Sequence, residues 1–167
     1  PVAQTGGRWR LRYFLYCQMI RILEQHSLPD EATRQAVFHL YEAIFGKPAG
    51  EKVRDRLDKA PDLLILIAQT ETGTSAGFKI GYRQDPSTFY SWLGGVLPEF
   101  RGQGIAGALM QYQHDWVKSR GYRSIQTKTM NRWRNMLILN LKFGFNIIGT
   151  YMSTDRTVRI ILQKELL

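Results

Sequence analysis

The sequence predicts a single α/β domain built on a mixed β-sheet. The chain has 167 residues, which is the usual length of one domain. Segments with alternating apolar residues are interleaved with segments whose apolar residues recur every three to four positions, and their order is strand, two helices, three strands, helix, strand, helix and two strands. This order favours a sheet with both parallel and antiparallel neighbours, flanked by helices.

Different patterns mark the first strand and the first helix. Weak alternation over 19–24 predicts an opening strand. Pro29 and Asp30 are typical of a helix start, and the apolar residues that follow them recur at helical spacing. Gly46 and Pro48 predict the end of that helix.

A second helix and an antiparallel hairpin come next. The charged segment 50–60 has its few apolar residues on one side, which predicts a short helix. The segments 63–70 and 76–83 flank the turn-forming residues 71–74, so they predict the two strands of a hairpin. A further strand is predicted over 89–96.

The spacing of the apolar residues changes from strand-like to helical after this strand. Ile105, Leu109, Tyr112 and Trp116 fall on one helical face, and Gly121 is expected to end that helix. The remaining predicted elements are a strand, a helix and a closing pair of strands, at 122–130, 135–143, 145–154 and 157–163.

Composition excludes several classes of protein. Apolar residues make up 44% and charged residues 22% of the chain, which excludes a disordered protein. The longest apolar stretch, 63–68, is far shorter than the ~20 residues that span a membrane, so no membrane association is expected. Cys17 is the single cysteine, so no disulfide can form within the chain and we expect a cytoplasmic protein. Residues 1–18 read as an N-terminal arm of uncertain origin, ahead of one domain at 19–167.

Positive charge is concentrated in one part of the sequence. The formal net charge is +9, and no acidic residue occurs between Asp115 and Asp155. This pattern indicates a nucleic acid, a phosphate-rich cofactor or simply a solvated basic surface. A nucleic-acid partner is the weakest of these, because no basic strand with interleaved aromatic residues is visible. The histidines lack the spacing of metal ligands, so no metal is expected.

The segment 96–107 is rich in glycine and lies between a predicted strand and a predicted helix. Gly102, Gly104 and Gly107 satisfy the dinucleotide fingerprint Gly-x-Gly-x-x-Gly. This match is weak, because several strands precede it and the following strand lacks the acidic residue that would bind a ribose. Tight packing of a strand against a helix is a second explanation of these glycines.

A third interpretation is a loop that wraps around a pyrophosphate. Arg101, Gly104 and Ala106 form the pattern Arg-x-x-Gly-x-Ala. Residues without bulky side chains allow successive amide N–H groups to point at one anion, with the positive end of the next helix dipole behind them. This interpretation fits the length, the order and the spacing together.

The segment 96–110 resembles the acetyl-CoA pyrophosphate loop of the GNAT superfamily of acyl-CoA N-acyltransferases, whose motif is Gln/Arg-x-x-Gly-x-Gly/Ala. The closing Gly144-Phe145 is also similar to that family. The resemblance covers about 19–165 and is strongest over 92–145. It implies an α/β fold with a mixed, mostly antiparallel sheet flanked by helices, in which a splayed pair of parallel strands holds the cofactor.

The resemblance also implies where acetyl-CoA would bind. In the family, a bulge separates the strand before the loop from its parallel neighbour, and the pantetheine arm lies in the gap. Gly94-Gly95 is the expected bulge, because glycine pairs in strands often mark bulges or close backbone approach. The residues implied in cofactor binding are Gly94, Val96, Leu97, Arg101, Gly102, Gln103, Gly104, Ile105, Ala106, Asn135 and Asn140.

By the same resemblance, the reaction would be direct attack of an amine on the thioester in a ternary complex. An alkyl amine has a pKa near 10.4, so it must lose a proton before it attacks. The strand over 89–96 has no carboxylate, although many family members keep one there. Tyr90 and Glu71 are candidate catalytic residues for this step, and Glu42 and Tyr82 are further candidates.

The family usually protonates the leaving thiolate with a tyrosine four residues before the glycine of Gly-Phe. Asn140 occupies that position here and is a third candidate catalytic residue. Its amide can form a hydrogen bond to the sulfur or the pantetheine but cannot act as an acid. Asn135 is expected to cap the last helix and to face the cofactor. Arg132 and Arg134 are candidate contacts for the 3′-phosphate of the cofactor.

Two further functions remain open at this point. One is a module on the same fold that binds acyl-CoA or contacts nucleic acid without turnover, which the absence of the tyrosine favours. The other is an acyltransferase for longer acyl chains. The expected partner is a small-molecule or peptide amine, and a homodimer is left open.

Overall fold

The computed structural model describes residues 9–15 and 18–166. Within these residues the strands are β1 Trp9–Leu15, β2 Gln18–His26, β3 Leu64–Thr70, β4 Ser75–Arg83, β5 Thr88–Val96, β6 Ser124–Thr129, β7 Asn146–Met152 and β8 Val158–Glu165. The helices are α1 Glu31–Phe45, α2 Glu51–Lys59, α3 Ile105–Ser119 and α4 Arg134–Lys142. Short 3₁₀ turns cover Pro98–Phe100 and Asn131–Trp133.

The described strands form one mixed sheet in the order β1-β2-β3-β4-β5-β6-β8-β7. Neighbouring strands are antiparallel, except that β5 and β6 are parallel. A parallel pair needs a crossover connection, and α3 with its preceding loop supplies it. The predicted α/β class with a mostly antiparallel sheet is therefore confirmed.

The predicted elements from residue 19 onward are present in the predicted order. The division into an arm at 1–18 and a domain at 19–167 stays a prediction. Within the predicted arm, residues 9–15 form β1, which pairs with β2 in an antiparallel ladder. Residues 1–8 and 16–17 of the arm lie outside the described residues.

The first helix begins and ends where the sequence predicts. The side chain of Asp30 accepts a hydrogen bond of 2.7 Å from the amide of Thr33, which satisfies one of the free N–H groups at the helix start. Gly46 takes a left-handed φ of 71° at the other end, and its amide donates to the carbonyl of Glu42. This conformation favours glycine because it has no Cβ.

Two hydrophobic clusters cover the two faces of the sheet. On one face α1 and α2 pack over β3 and β4, with Val37, Leu40 and Phe78 fully buried. On the other face α3 packs over the sheet, with Leu109 and Val117 buried. Each fully buried side chain of this kind contributes about 1.5–3 kcal/mol of burial free energy. We call these the α1 face and the α3 face.

A polar group is buried within the α3 face. His114 of α3 is only 3% exposed, and its Nδ1 lies 3.1 Å from Nζ of Lys164 on β8. Its Nε2 has no hydrogen-bond partner among the described residues. Burial, together with the positive charges of Lys164 and Lys79, lowers the pKa of His114 to about 3. The imidazole is therefore neutral in the folded protein.

We expect this histidine to make the fold sensitive to acid. Because the pKa of His114 is lower in the folded protein than in the unfolded chain, the unfolded chain binds the extra proton between pH 6.5 and about 3. Stability is thus lost as the pH falls through that window, by about 1.4 kcal/mol for each pH unit at most. The measurement is the free energy of unfolding against pH for the wild type and for His114→Gln.

The variant should lose less stability on acidification than the wild type. The exposed His39 offers a matched control, since His39→Gln should leave the pH dependence unchanged. Equal acid sensitivity in the wild type and in His114→Gln would contradict the assignment of a neutral buried imidazole.

Candidate active site

β5 and β6 run side by side only at their beginnings. Their parallel register extends from Thr88 opposite Ser124 to Ser91 opposite Thr127. At that last pair, Oγ1 of Thr127 donates a hydrogen bond of 2.8 Å to the carbonyl of Ser91. β5 then continues to Val96 beside β4, while β6 continues beside β8. The two strands diverge, and we call the gap beyond Ser91 the fork.

A bulge at Trp92 accompanies this divergence. Ile80 and Gly81 follow one another on β4, but their partners on β5, Leu93 and Ser91, are two residues apart. Trp92 is the extra residue of β5 between those two partners. The predicted bulge at Gly94-Gly95 is therefore wrong, because both glycines resume regular pairing with β4. An extra residue bends its strand. This one lies where β5 leaves β6.

The two glycines of β5 allow close approach instead. A Cβ atom on Gly95 would lie 2.9 Å from Cγ2 of Ile44, so this glycine lets α1 pack onto β5. A Cβ atom on Gly94 would lie 3.3 Å from the carbonyl oxygen of Phe78 and 3.5 Å from Cγ of Lys79. Because neither residue has a side chain, neighbouring atoms lie close to the backbone of β5 at the fork.

The loop between β5 and α3 presents a row of free amides. Gly102 and Gly104 have φ values of 76° and 81°, which strongly favour glycine. No side chain caps α3 at Gly104, and no acidic residue lies in the first turn of this helix. Among the described residues, the amides from Gly102 to Gly107 donate no hydrogen bond. Free amides at a helix N-terminus form an anion site.

Side chains of the loop hold this backbone in place. Nε of Arg101 donates a hydrogen bond of 3.1 Å to the carbonyl of Val96. The amide side chain of Gln103 donates to the carbonyl of Glu99 over 3.3 Å. The backbone amide of Leu97 donates to a carbonyl of β4. These three predicted cofactor residues support the loop, and the amide of Leu97 is already used.

A narrow cavity lies beside the fork, where β4, β5, α3 and α4 meet. Its lining residues are Phe78, Lys79, Gly94, Gly95, Val96, Ala106, Leu109, Met110, Met136 and Leu139. Lys79 carries the only polar side chain of this lining. It is 7% exposed, and it makes no hydrogen bond or ion pair with any described residue. Burial lowers the pKa of Lys79 to about 8.

An aromatic patch lies on the α1 face, next to the fork. The rings of Tyr82 and Tyr90 meet edge to face at 5.5 Å, and Tyr82 meets Trp92 at 5.9 Å. The guanidinium of Arg56 donates to the hydroxyl of Tyr82 over 2.5 Å, and Nζ of Lys128 lies 5.9 Å from the ring of Tyr90. The patch is therefore aromatic and positively charged.

A comparison with models of protein families identifies the family of this chain. The acetyltransferase (GNAT) family model matches residues 34–145, which is most of the chain. The protein belongs to the GNAT acetyltransferase family. No functionally curated protein matches the sequence significantly.

Solved GNAT structures share the fold. The ribosomal-protein-S18-alanine N-acetyltransferase from Escherichia coli is 21% identical with a TM-score of 0.71, over 86% of this chain and 94% of that one. A GCN5-related N-acetyltransferase from Kribbella flavida is 21% identical with a TM-score of 0.69, over 86% and 98%. A chain of the NatC complex bound to Gag peptide and CoA is 18% identical with a TM-score of 0.69, over 87% and 99%.

Within this GNAT domain, the two asparagines of α4 occupy different environments. Asn140 is 3% exposed in the last turn, whereas Asn135 is exposed in the first turn. The prediction that Asn135 caps α4 is wrong. The 3₁₀ turn Asn131–Trp133 runs directly into the helix, so α4 begins at Arg134 and Trp133 occupies the cap position.

The predicted proton acceptors are spread over the molecule. Tyr90 lies in the aromatic patch, and burial, aided by the neighbouring Tyr82 and Tyr151, raises its pKa to about 12. A phenol that stays protonated can donate a hydrogen bond but is a poor base at neutral pH. Glu71 is exposed in the β3–β4 turn, and Glu42 is exposed on α1. Of the four predicted candidates, the structure brings Tyr90 and Tyr82 into contact in the aromatic patch.

The cavity beside the fork is lined by one residue that the sequence analysis did not single out. Lys79 lies in the segment Ala76–Ile80, which otherwise consists of apolar residues and glycine. A lone lysine in a predicted buried strand was the available signal. Among the described residues, no group of three or more potential ligands could hold a metal ion, and no helix is long and apolar enough to span a membrane.

The contact between α1 and β5 gives a test of this geometry. We expect Gly95→Ala to destabilise the protein by about 1–3 kcal/mol, because the new Cβ would overlap the side chain of Ile44. The cost should fall in an Ile44→Ala background, as measured by denaturant unfolding of the four proteins in the cycle. Gly149→Ala is the control, since nothing lies within 4 Å of a Cβ on that strand glycine. If Gly95→Ala lowers the free energy of unfolding by the same amount with and without Ile44→Ala, the contact between Gly95 and Ile44 is excluded.

Proposed function

We propose that this protein transfers an acetyl group from acetyl-CoA to an amine, as an N-acetyltransferase. The observation that carries the proposal is the fork, which leads directly into a loop of free amides. Together they offer an extended strand edge for a pantetheine arm and an anion site for a pyrophosphate. Membership of the GNAT acetyltransferase family supports this assignment.

The pyrophosphate of the cofactor would bind at the start of α3. The amides from Gly102 to Gly107 are free, and the helix dipole adds a partial positive charge behind them. The absence of an acidic residue in the first turn of α3 removes the group that would repel a phosphate. Arg101 and Gln103 would act indirectly, because their side chains hold the loop.

The pantetheine arm would run along the free edge of β5 in the fork. Beyond Ser91 that edge has no strand partner on the side of β6 among the described residues, so its N–H and C=O groups can pair with the amides of pantetheine. A backbone N–H near Gly94 or Val96 that points at the thioester carbonyl would stabilise the developing negative charge. One well-placed donor contributes about 3 kcal/mol to such a reaction.

The acceptor amine would approach from the aromatic patch. This surface lies on the α1 face beside Trp92, where β5 bends away from β6. Tyr90 would donate a hydrogen bond there, since its raised pKa keeps the hydroxyl protonated. The base that accepts the amine proton would be water or a carboxylate, and Glu71 remains a candidate that requires mutation to test.

A second candidate is a domain that binds acyl-CoA without turnover. It is favoured by Asn140, which stands where the family usually has a tyrosine acid. A longer acyl group is a variant of the first proposal. Release of CoA thiol in the presence of amines of different classes separates the catalyst from the binding module.

Calorimetric titration with acetyl-CoA tests the anion site. We expect micromolar binding by the wild type and loss of binding in Gly102→Glu, because that carboxylate would lie among the free amides. Gly121→Glu is a matched control at the other end of α3. Gly102 and Gly121 have left-handed φ values of 76° and 81° and no atom within 4 Å of a built Cβ, so strain and added charge are equal. Equal loss in both variants would contradict the proposed site.

The two arginines before and at the start of α4 give a second test. Arg132 and Arg134 are exposed, and no acidic residue lies in the first turn of α4. If they bind the 3′-phosphate, Arg132→Ala with Arg134→Ala should weaken acetyl-CoA binding about tenfold, as loss of ~1.4 kcal/mol requires. Binding of the 3′-dephospho analogue should change little in the same variant. Lys47→Ala with Lys52→Ala removes two exposed charges elsewhere and is the control. Similar losses for both cofactors would refute a 3′-phosphate contact.

A further inference from the structure

Lys79 is a largely buried cation in the cavity beside the fork, with no hydrogen-bond or ion-pair partner among the described residues. It comes from β4, where it stands opposite Gly94 of β5 and Leu66 of β3. The lysine stem passes directly beside Gly94, since a Cβ there would be in ordinary contact with Cγ of Lys79, at 3.5 Å. The other cavity walls are apolar side chains or glycine backbone.

Such a group is unfavourable for the fold by itself. A buried ammonium without a hydrogen bond or an anion loses its hydration and gains nothing in return. A ligand that brings a hydrogen-bond acceptor or a negative charge into the cavity would supply the partner that the protein lacks. An unpartnered charge that lines a cavity therefore points to a ligand.

The surrounding charges do not supply that partner. On α3 the neutral His114 is close enough for the charge of Lys79 to lower its pKa, and Lys164 on β8 is a second cation, 3.1 Å from that imidazole. Glu24 lies in the same row of the sheet two strands away, where it accepts hydrogen bonds from Tyr112 and His26. α4 contributes only Met136 and Leu139 to the cavity, both apolar.

We propose that the ammonium of Lys79 contacts the sulfur of bound CoA and protonates the thiolate that leaves when the acyl group is transferred. This inference rests on the proposed function, because it requires the thioester to lie in the fork. Lys79 is the only side chain of the cavity lining that can donate a proton.

The proton transfer completes a balanced reaction. The lone pair of the acceptor amine forms a bond to the thioester carbonyl carbon, and the carbon–sulfur bond breaks with its electron pair going to sulfur. Nζ of Lys79 gives its proton to that sulfur, which yields CoA thiol and a neutral lysine. The surplus proton of the new amide nitrogen leaves to water, and Lys79 regains a proton from water.

The chemistry of the two groups is well matched. Burial brings the pKa of Lys79 to about 8, close to the ~8.5 of an ordinary thiol, so the proton can move to sulfur without a large uphill step. Asn140, at the position where the family usually has its acid, carries an amide and cannot donate a proton in this way. Lys79 provides the missing acid from strand β4.

The direct test is the pKa of the thiol of bound CoA, followed by the ultraviolet absorbance of the thiolate, with desulfo-CoA as the blank. In the wild type, the neighbouring ammonium should hold the thiol pKa below that of free CoA. In Lys79→Met we expect it to rise by at least one unit, because the cation is gone and the site remains buried. In Lys79→Arg it should stay low. Lys164→Met is the control, since Lys164 does not line the cavity.

Affinity gives a second readout that a purely structural role would not move. At a pH where the wild type binds the thiolate and Lys79 is still protonated, Lys79→Met should bind CoA more weakly than the wild type, by up to about tenfold for a shift of one pKa unit. Desulfo-CoA has no sulfur, so the same two proteins should bind it equally. Equal losses for CoA and desulfo-CoA would indicate a packing role and overturn the proposal.

The outcomes separate this inference from the proposed function. If the wild type binds both CoA and desulfo-CoA, but the thiol of bound CoA has the same pKa in the wild type and in Lys79→Met, only the role of Lys79 is overturned. Wild type that binds neither would overturn the proposed function and this inference with it. Folding of Lys79→Met is checked by thermal unfolding, and we expect this variant to be more stable than the wild type because a buried charge is removed.

Discussion

The separation of β5 from β6 is the feature on which the rest of this structure depends. Four pairs of residues hold the strands together, and the hydrogen bond from Thr127 to the carbonyl of Ser91 closes the ladder at its last pair. The bulge at Trp92 then bends β5 away. Because β6 keeps its pairing with β8 and β5 keeps its pairing with β4, the sheet stays continuous while a gap opens inside it.

Every other part of the site is arranged around this gap. The loop at the end of β5 turns through two left-handed glycines into α3, which brings free amides to the mouth of the fork. α4 contributes Met136 and Leu139 to the cavity beside it. The α3 face also buries polar groups, among them Lys79, Gln113 and the neutral His114. Such groups reduce stability, and Lys79 lines the cavity beside the fork.

The sequence was sufficient for the element order and for the loop, and insufficient for the details that depend on tertiary contacts. The helix start at Asp30 and the turn at Gly102 and Gly104 follow from local chemistry, so their residues could be recognised directly. The bulge depends on the register between two strands, which the glycine pair at 94–95 did not reveal. The predicted cap of α4, Asn135, lies two residues after the observed cap, Trp133, because the 3₁₀ turn before the helix leaves no break in the backbone.

Lys79 is a further residue whose surroundings the sequence could not predict. Its position in an apolar strand predicts burial, but its partners depend on what α3, α4 and the fork place around it. The sequence was equally insufficient to place Tyr90 and Glu71, since one is a half-buried phenol and the other an exposed carboxylate in a turn. The residue types alone predict which side chains could react, but only the fold shows where those side chains lie relative to the fork.

Backbone hydrogen exchange with and without acetyl-CoA tests the central claim most directly. The claim is that the free edge of β5 pairs with the pantetheine arm and that the loop amides bind the pyrophosphate. Binding should therefore slow exchange at the amides of 92–96 that face the fork and at those of 102–107, with little change in β2 and β3. Acetyl-CoA binding that leaves both segments unprotected, or protects a different surface, would contradict the account.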